Sequence, residues 1–270
     1  MKITFIGGGN MASAMIGGLL RKKWPAKSIR VVEVAAPARE RVTGEFKVKA
    51  HATLDAAAAK CDCIVLAVKP QQMREVARAL KPLLGSQLVV SIAAGIRVKD
   101  LARWLGGYGR IVRVMPNTPA LVHAGVSGLY APPAVAATGR AAAAKVLSAV
   151  GSVLWFEREE DLDAVTAVSG SGPAYVFYFI EALERAAREL NLTPEAAHRL
   201  AIGTFAGAVK LAAQAAEAPE TLRSRVTSRG GTTERALNAM EADRVKEAIV
   251  RAVKAAAQRS RELGDELGKD

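Results

Sequence analysis

The stretch SRGGTT, Ser228 to Thr233, sets two glycines among three hydroxyl side chains and one arginine. A helical pattern begins at once behind it, with Glu234 in its first turn. Free backbone N–H groups at a helix start, small hydroxyls and little side-chain bulk suit a small anion such as a carboxylate, with a dipole benefit of roughly 0.3–1 kcal/mol. A second anion-binding pattern stands at the opposite end of the chain. There the strand-like KITFIG runs straight into GGGNMA, and Gly7, Gly9 and Ala12 match G-x-G-x-x-G/A. Gly7 allows the tight turn, Gly9 lets the backbone approach a pyrophosphate, and Ala12 lets the helix pack on the strand. The chemistry of that turn is dinucleotide binding.

Other strand ends add polar groups to the same kind of crevice. Glu33 ends the second strand, where a carboxylate accepts from ribose hydroxyls and repels a 2′-phosphate. Arg39 and Arg41 follow within reach of a phosphate, and Glu33 reads equally well as an exposed strand-end residue, so NAD against NADP stays open. LAVKP brings Lys69 to the end of another strand. SIAAG ends a further one, and VRVMPNTPA sets Asn117 and Thr118 between two prolines, at the level of a nicotinamide ring. Each alone reads as a plain turn; three in one sheet point to a shared cleft.

The second half lacks a base for alcohol oxidation. Some two-domain hydroxyacid dehydrogenases place a lysine, then an asparagine, one and two turns into the helix after a glycine-rich turn. In AVSGSGPAYVFYFIEAL the matching positions are Val176 and Ile180, both apolar. A cofactor cleft without a strong acid–base residue suits a substrate that is already electrophilic. A protonated imine accepts hydride directly and needs mainly orientation, for which a carboxylate on the substrate and SRGGTT on the protein serve.

These residues need a sheet to position them. KITFIG, IRVVEV, CDCIVLAVK, QLVVSIAAG, GRIVRVM, AGVSGLYA and SVLWF read as strands; residues 11–20, 37–45 and 134–150, with KDLARWL, read as helices. The alternation predicts a largely parallel sheet with helices on both faces. After Glu160 no strand remains, and residues 172–190, 194–216 and 242–263 have helical periodicity. The chain thus divides into an α/β dinucleotide-binding domain over 1–160 and an all-α domain over 161–270. Val176, Phe177, Phe179, Ile180 and Leu183 spread round more than one helix face, which predicts burial against a second copy and hence a homodimer.

Half of the 270 residues are apolar, ample for a core. The formal charge of +12 lies in the first half: residues 1–160 carry 23 Lys and Arg against 10 Asp and Glu, and residues 161–270 carry 15 against 16. Nucleic acid or a polyanionic cofactor would each explain this. No run of five basic residues and no aromatic–basic interleaving occurs, which favours the cofactor and no nucleic-acid partner. The longest uncharged stretch, 114–139, holds four prolines and is no membrane span. MKITFIGGGN has no basic-then-apolar leader, so the expected location is cytoplasmic. Cys61 and Cys63 are expected to be apolar thiols pointing the same way, and three scattered histidines complete no metal site.

FIGGGNMA, LAVKP, SIAAG, VRVMPNTPA, AVSGSGPAYVF and VTSRGGTTERAL together resemble, in order, the motifs of the pyrroline-5-carboxylate reductase family. The resemblance runs from Ile3 to about Leu263, and SGSGPAY and SRGGTT are its most specific parts. It implies a Rossmann-like N-terminal domain, a helical C-terminal dimerisation domain, and NAD(P)H-dependent reduction of 1-pyrroline-5-carboxylate to L-proline, the last step of proline biosynthesis. NADPH or NADH would be contacted by Ile6, Gly7, Gly8, Gly9, Asn10, Met11, Glu33, Ala67, Val68, Lys69, Pro70, Ala93, Ala94, Gly95 and Asn117. Ser228, Gly230, Gly231, Thr232 and Thr233 would hold the substrate, with Thr233 at the ring nitrogen; Thr233 and Lys69 are the candidate catalytic residues. Dimers of the family assemble into larger homo-oligomers. Arg229 stands where a proline is common, and Glu33 where an asparagine or hydroxyl residue often tolerates a 2′-phosphate. The alternatives are another two-domain imine or hydroxyacid reductase and a non-catalytic nucleotide- or nucleic-acid-binding protein. SRGGTT and the missing lysine and asparagine weigh against the first; strongly salt-dependent binding without turnover would mark the second.

Overall fold

Short extended runs cannot satisfy their backbone alone, and here eight of them pair into one sheet. The computed structural model describes residues 1–269. The strands are β1 (Ile3–Ile6), β2 (Ile29–Val32), β3 (Lys49–His51), β4 (Cys63–Leu66), β5 (Leu88–Ser91), β6 (Ile111–Met115), β7 (Gly125–Tyr130) and β8 (Gly151–Trp155). Their order is β3-β2-β1-β4-β5-β6-β7-β8, parallel throughout except that β7 runs against β6. Strand β3 escapes the apolar pattern because Lys49 and His51 are exposed on the sheet edge.

The helices of this half are α1 (Asn10–Arg21), α2 (Ala36–Phe46), α3 (Ala56–Ala59), α4 (Met73–Leu80), α5 (Val98–Trp104), α6 (Ala137–Leu147) and α7 (Asp161–Val165). Alternate strand residues point to opposite faces. Ile3 and Phe5 of β1, Cys63 and Val65 of β4, and Val90 of β5 therefore enter one buried cluster with Met15 and Leu19 of α1. Ile6, Ile64, Leu66 and Val89 enter the other, with Met73 and Leu80 of α4. The two cysteines do not share a face as expected. Strand β4 begins only at Cys63, and a bend at Cys61 and Asp62 turns Cys61 onto the second cluster. Burial pushes both thiols up from the ordinary range.

Two compact units emerge: Met1–Ser171 with the residues from Ala256 on, and Gly172–Ala255. The expected division at 160/161 marks where helices take over. Helix α7 nevertheless stays with the first unit, since it packs on β6 and β7 with Leu162 fully buried. The second unit contains α8 (Gly172–Glu189), α9 (Pro194–Gln214), α10 (Pro219–Arg225), α11 (Thr232–Ala242) and the first part of α12 (Val245–Leu267). Thr193 caps α9, its hydroxyl accepting from the Ala196 N–H at 3.2 Å, with Pro194 at the first helical position. Within this unit only Ala197 and Ala201 are buried, while Phe177, Tyr178 and Leu211 are 60 %, 70 % and 67 % exposed. A helical unit with so little interior needs another apolar surface. No helix among the described residues is long and apolar enough to cross a membrane.

Helix α1 reaches its seat through Gly18, where a Cβ would lie 2.4 Å from the Ala149 carbonyl oxygen. Gly18→Ala must push α1 away from the backbone after α6. It is expected to lower stability by about 1–3 kcal/mol, read as a lower urea midpoint.

Candidate functional site

The connection from β1 goes to β2 on one side of the sheet, and β4 returns on the other side of β1, so the loops part at the carboxyl ends of β1 and β4. A cavity of about 420 Å³ opens there, lined by Ile6, Gly7, Gly9, Glu33, Ala67, Val68 and Lys69 among others. Gly7 has φ +100, and a Cβ on it would lie 2.6 Å from the Ala67 carbonyl oxygen. Only glycine lets β1 turn this close to β4. Gly9 caps α1, and a Cβ there would meet nothing within 4 Å. The positive end of α1 therefore faces open space, which suits a phosphate group held by backbone N–H groups. Lys69 is exposed at the end of β4 and lines the same cavity.

Glu33 is fastened at the mouth of this crevice. Its carboxylate accepts from the Gly8 N–H and the Ala35 N–H, each at 2.8 Å. Arg39 donates to the carbonyls of Glu33 and Val34 at 2.9 and 2.7 Å, and Arg41 donates to the Gly8 carbonyl at 2.8 Å. Both guanidinium groups thus surround the Glu33 turn. Helix α4 supplies a wall that the motif reading missed: Gln72 before it, then Glu75, Val76 and Ala79. Their three- and four-residue spacing is a helix-face signal available in the sequence.

Other expected cofactor residues stand apart from the cavity lining. Gly8 is buried with its N–H given to Glu33, Asn10 is exposed at the start of α1, Met11 packs on the first cluster, and Pro70 opens a 3-10 turn. Ala93 is buried in the second cluster, Ala94 is exposed, and Gly95 turns at φ +73. Asn117 is 8 % exposed, and its amide is consumed internally. Its Nδ2 donates to the Ser169 carbonyl at 3.1 Å, and its Oδ1 accepts from the Val126 N–H at 2.8 Å. Ser169 lies in a π turn, Thr166–Gly170, whose Gly170 fits against Met115: a Cβ would meet Met115 Cε at 2.5 Å. VRVMPNTPA and AVSGSGP therefore meet each other, a contact no local pattern announces.

The SRGGTT loop lies in the second unit, ahead of α11. Gly230 has φ +71, and Gly231 is the extended N-cap. The Gly231 N–H donates to the Ser228 carbonyl at 3.1 Å, and a Cβ on Gly231 would meet Ser228 Oγ at 2.6 Å. The Gly230 N–H donates to Glu234 Oε2 at 2.7 Å. A carboxylate is thus the partner this loop takes from its own chain. The first N–H groups of α11, beginning at Thr232, have no acceptor within the helix. Ser228, Arg229, Gly230 and Thr232 are exposed, and Gly231 and Thr233 half-buried.

Comparison with known proteins gives two family matches: pyrroline-5-carboxylate reductase dimerisation over residues 159–263, and NADP oxidoreductase, coenzyme F420-dependent, over residues 2–95. The chain is 46 % identical to a pyrroline-5-carboxylate reductase of Pseudomonas aeruginosa over 269 residues, covering 99 % of this chain and 98 % of that protein. It is 40 % identical to one of Haemophilus influenzae, with 97 % of each covered. A solved pyrroline-5-carboxylate reductase of Coxiella burnetii superposes with TM-score 0.91 at 39 % identity, covering 97 % of this chain and 98 % of that one. A Plasmodium falciparum pyrroline carboxylate reductase with NADP bound gives 0.86 at 30 %, with 98 % of each covered.

The internal commitments of Asn117 separate two tasks. Asn117→Ala leaves the Val126 N–H and the Ser169 carbonyl without partners and is expected to lower stability by about 1–3 kcal/mol. Cofactor affinity should stay within twofold in a fluorescence titration. Unchanged stability with weaker cofactor binding would return Asn117 to the cofactor.

Proposed function

The chain belongs to the pyrroline-5-carboxylate reductase family, and on that footing we propose how its residues divide the reaction. It reduces the cyclic imine of 1-pyrroline-5-carboxylate to L-proline with NADPH or NADH, the last step of proline biosynthesis. It also forms a homodimer, a reading its dimerisation match supports. The full-length 46 % identity carries this activity; the residue roles below rest on the local geometry.

The nicotinamide cofactor, when bound, supplies the hydride. The open start of α1 holds its pyrophosphate through the backbone N–H groups of Gly9, Asn10 and Met11, while Gly7 and Gly8, whose N–H groups go to Val32 and Glu33, shape the turn. Ile6, Ala67, Val68, Lys69 and Pro70 form the crevice wall, and Ala93, Ala94 and Gly95 add a second loop. Glu33 accepts from ribose hydroxyls. Lys69 brings a cation to the crevice, where it offsets anionic ligands.

The substrate carboxylate is held by the hydroxyls of Ser228 and Thr232 and the first N–H groups of α11; Gly230 and Gly231, whose N–H groups go to Glu234 and Ser228, keep the loop open beside it, and the α11 dipole adds to this. Hydride goes to the imine carbon and one proton ends on the ring nitrogen, so no base has to remove a proton. Thr233 holds the ring nitrogen, and its hydroxyl, a weak acid, orients or relays that proton. The homodimer forms through the apolar faces around Phe177 and Ile180, and dimers assemble into a larger homo-oligomer. Two free thiols fit a reducing, cytoplasmic setting.

The direct test is oxidation of NADH and NADPH in the presence of pyrroline-5-carboxylate; no turnover with either would overturn the reading. Glu33→Ser removes the carboxylate and leaves Arg39 and Arg41 for a 2′-phosphate. It should lower the NADPH KM with kcat nearly unchanged, the sign of uniform binding, and a fixed NADPH/NADH ratio of kcat/KM would make Glu33 a structural cap alone. Thr233→Ala should reduce kcat/KM for the imine roughly ten- to a hundredfold, from about 1.5–3 kcal/mol for a hydrogen bond to a charged partner. Gly231→Val should be worse, because its side chain fills the space beside Ser228. Weakened NAD(P)H binding with an unchanged imine KM in these two variants would show that the loop serves a different ligand.

A further inference from the structure

The last turns of α12 belong to the first unit, and they press on the backbone between β5 and α5. Gly95 turns there at φ +73, and a Cβ on it would meet Leu267 Cδ1 at 2.9 Å and Leu263 atoms at 3.6 Å. Leu267 packs on the cluster that holds Ala93 and Ile96. Two residues after Gly95, Arg97 donates to Asp265 Oδ1 at 2.6 Å and to the Arg261 carbonyl at 3.1 Å. Gly264 leaves room for that guanidinium, since a Cβ there would lie 2.9 Å from Arg97 Nε. Arg103 donates to the Gly268 carbonyl at 2.6 Å. Farther back along α12, Ser260 donates to Asp163 at 2.6 Å, with both side chains buried.

The loop exit is held from its other side. The Val98 N–H donates to Glu159 Oε1 at 2.7 Å, and the same oxygen accepts from Arg113 at 2.9 Å. A surface ion pair alone contributes little, but Arg97 is three-quarters buried and bracketed by helix backbone and a carboxylate. The result is a short loop with Ala93 and Gly95 buried, Ala94 facing outward, and the end of α12 seated behind it. The two family matches end at residues 95 and 263, so neither spans this contact.

We infer that the end of α12, residues 263–268, is a positioning element for the cofactor: it holds residues 93–95 from behind and fixes the turn that presents Ala94. This rests on the reading of Ala93, Ala94 and Gly95 as cofactor contacts. None of residues 263–268 lines the cavity at β1 and β4, so the effect on binding is transmitted through the loop. Packing changes at such remote positions alter affinity by about two- to thirtyfold.

The test uses the full-length protein and NADPH fluorescence titration, with the imine KM measured at saturating cofactor. Leu267→Ala should weaken NADPH binding within that range and leave the imine KM within twofold. Leu267→Met, which refills the space behind Gly95, should restore affinity. NADPH affinity as in the wild type for Leu267→Ala, even with a lower melting temperature, would overturn the inference and leave the segment a fold stabiliser only. Ala94→Asp probes the loop itself. If it weakens NADPH binding and Leu267→Ala does not, the cofactor reading stands and the inference alone falls. If neither variant weakens binding, both fall. Should Leu267→Ala fail to fold, Asp265→Asn removes only the Arg97 pair, and its NADPH affinity is read in the same way.

Discussion

The approach of Gly7 to the Ala67 carbonyl is the constraint from which the cofactor half is built. A single methyl at Gly7 would stand 2.6 Å from that oxygen. Because it is absent, β1 turns at φ +100 directly beside β4, and the Gly7 N–H still reaches the Val32 carbonyl at 2.8 Å. The turn ends at Gly9, which begins α1 with nothing in front of it. The close turn after β1 and the open start of α1 therefore share one backbone contact. Ala12, Met15, Ile16 and Leu19 then seat α1 on the sheet, and Gly18 closes the fit at the far end of the helix.

The helical unit has no comparable interior. Its two buried residues are alanines, and its large side chains lie at the surface. Ion pairs such as Arg225–Glu217 and Arg185–Glu189 are exposed and contribute little each. Burial against a second copy supplies what the unit lacks, in keeping with the dimerisation match. The polar SRGGTT loop is held by local bonds instead, through Glu234 and Ser228, so its shape does not depend on a deep core.

Features set by neighbours in sequence were legible beforehand. The glycine turn after β1, the strand–helix alternation, the Thr193–Pro194 helix start and the SRGGTT loop each carry their cause within a few residues. Features set by distant contacts were not. The bend at Cys61 broke a strand period that looked continuous. The polar edge strand Lys49–His51 forms because β2 offers it a partner, and its own residues give no apolar signal. The internal use of Asn117 depends on Ser169, 52 residues on. The seat of Leu267 behind Gly95, like the Arg97–Asp265 bond across 168 residues, has no local trace, and for that reason the helical half reads as continuous to its end.

The return of α12 also sets an order of events during synthesis. All eight strands lie before residue 156, so the sheet can assemble while the helical half is still being made, as domains that emerge first usually fold first. The residues that back Gly95 are made after the sheet and after the helical unit. The first unit is thus a discontinuous one, completed only after the helical unit between its two parts has been made. The entropic penalty for closing so long a connection grows only logarithmically with its length, so the delay is one of timing more than of stability. A chain interrupted before residue 256 would carry a complete sheet and an unfinished loop.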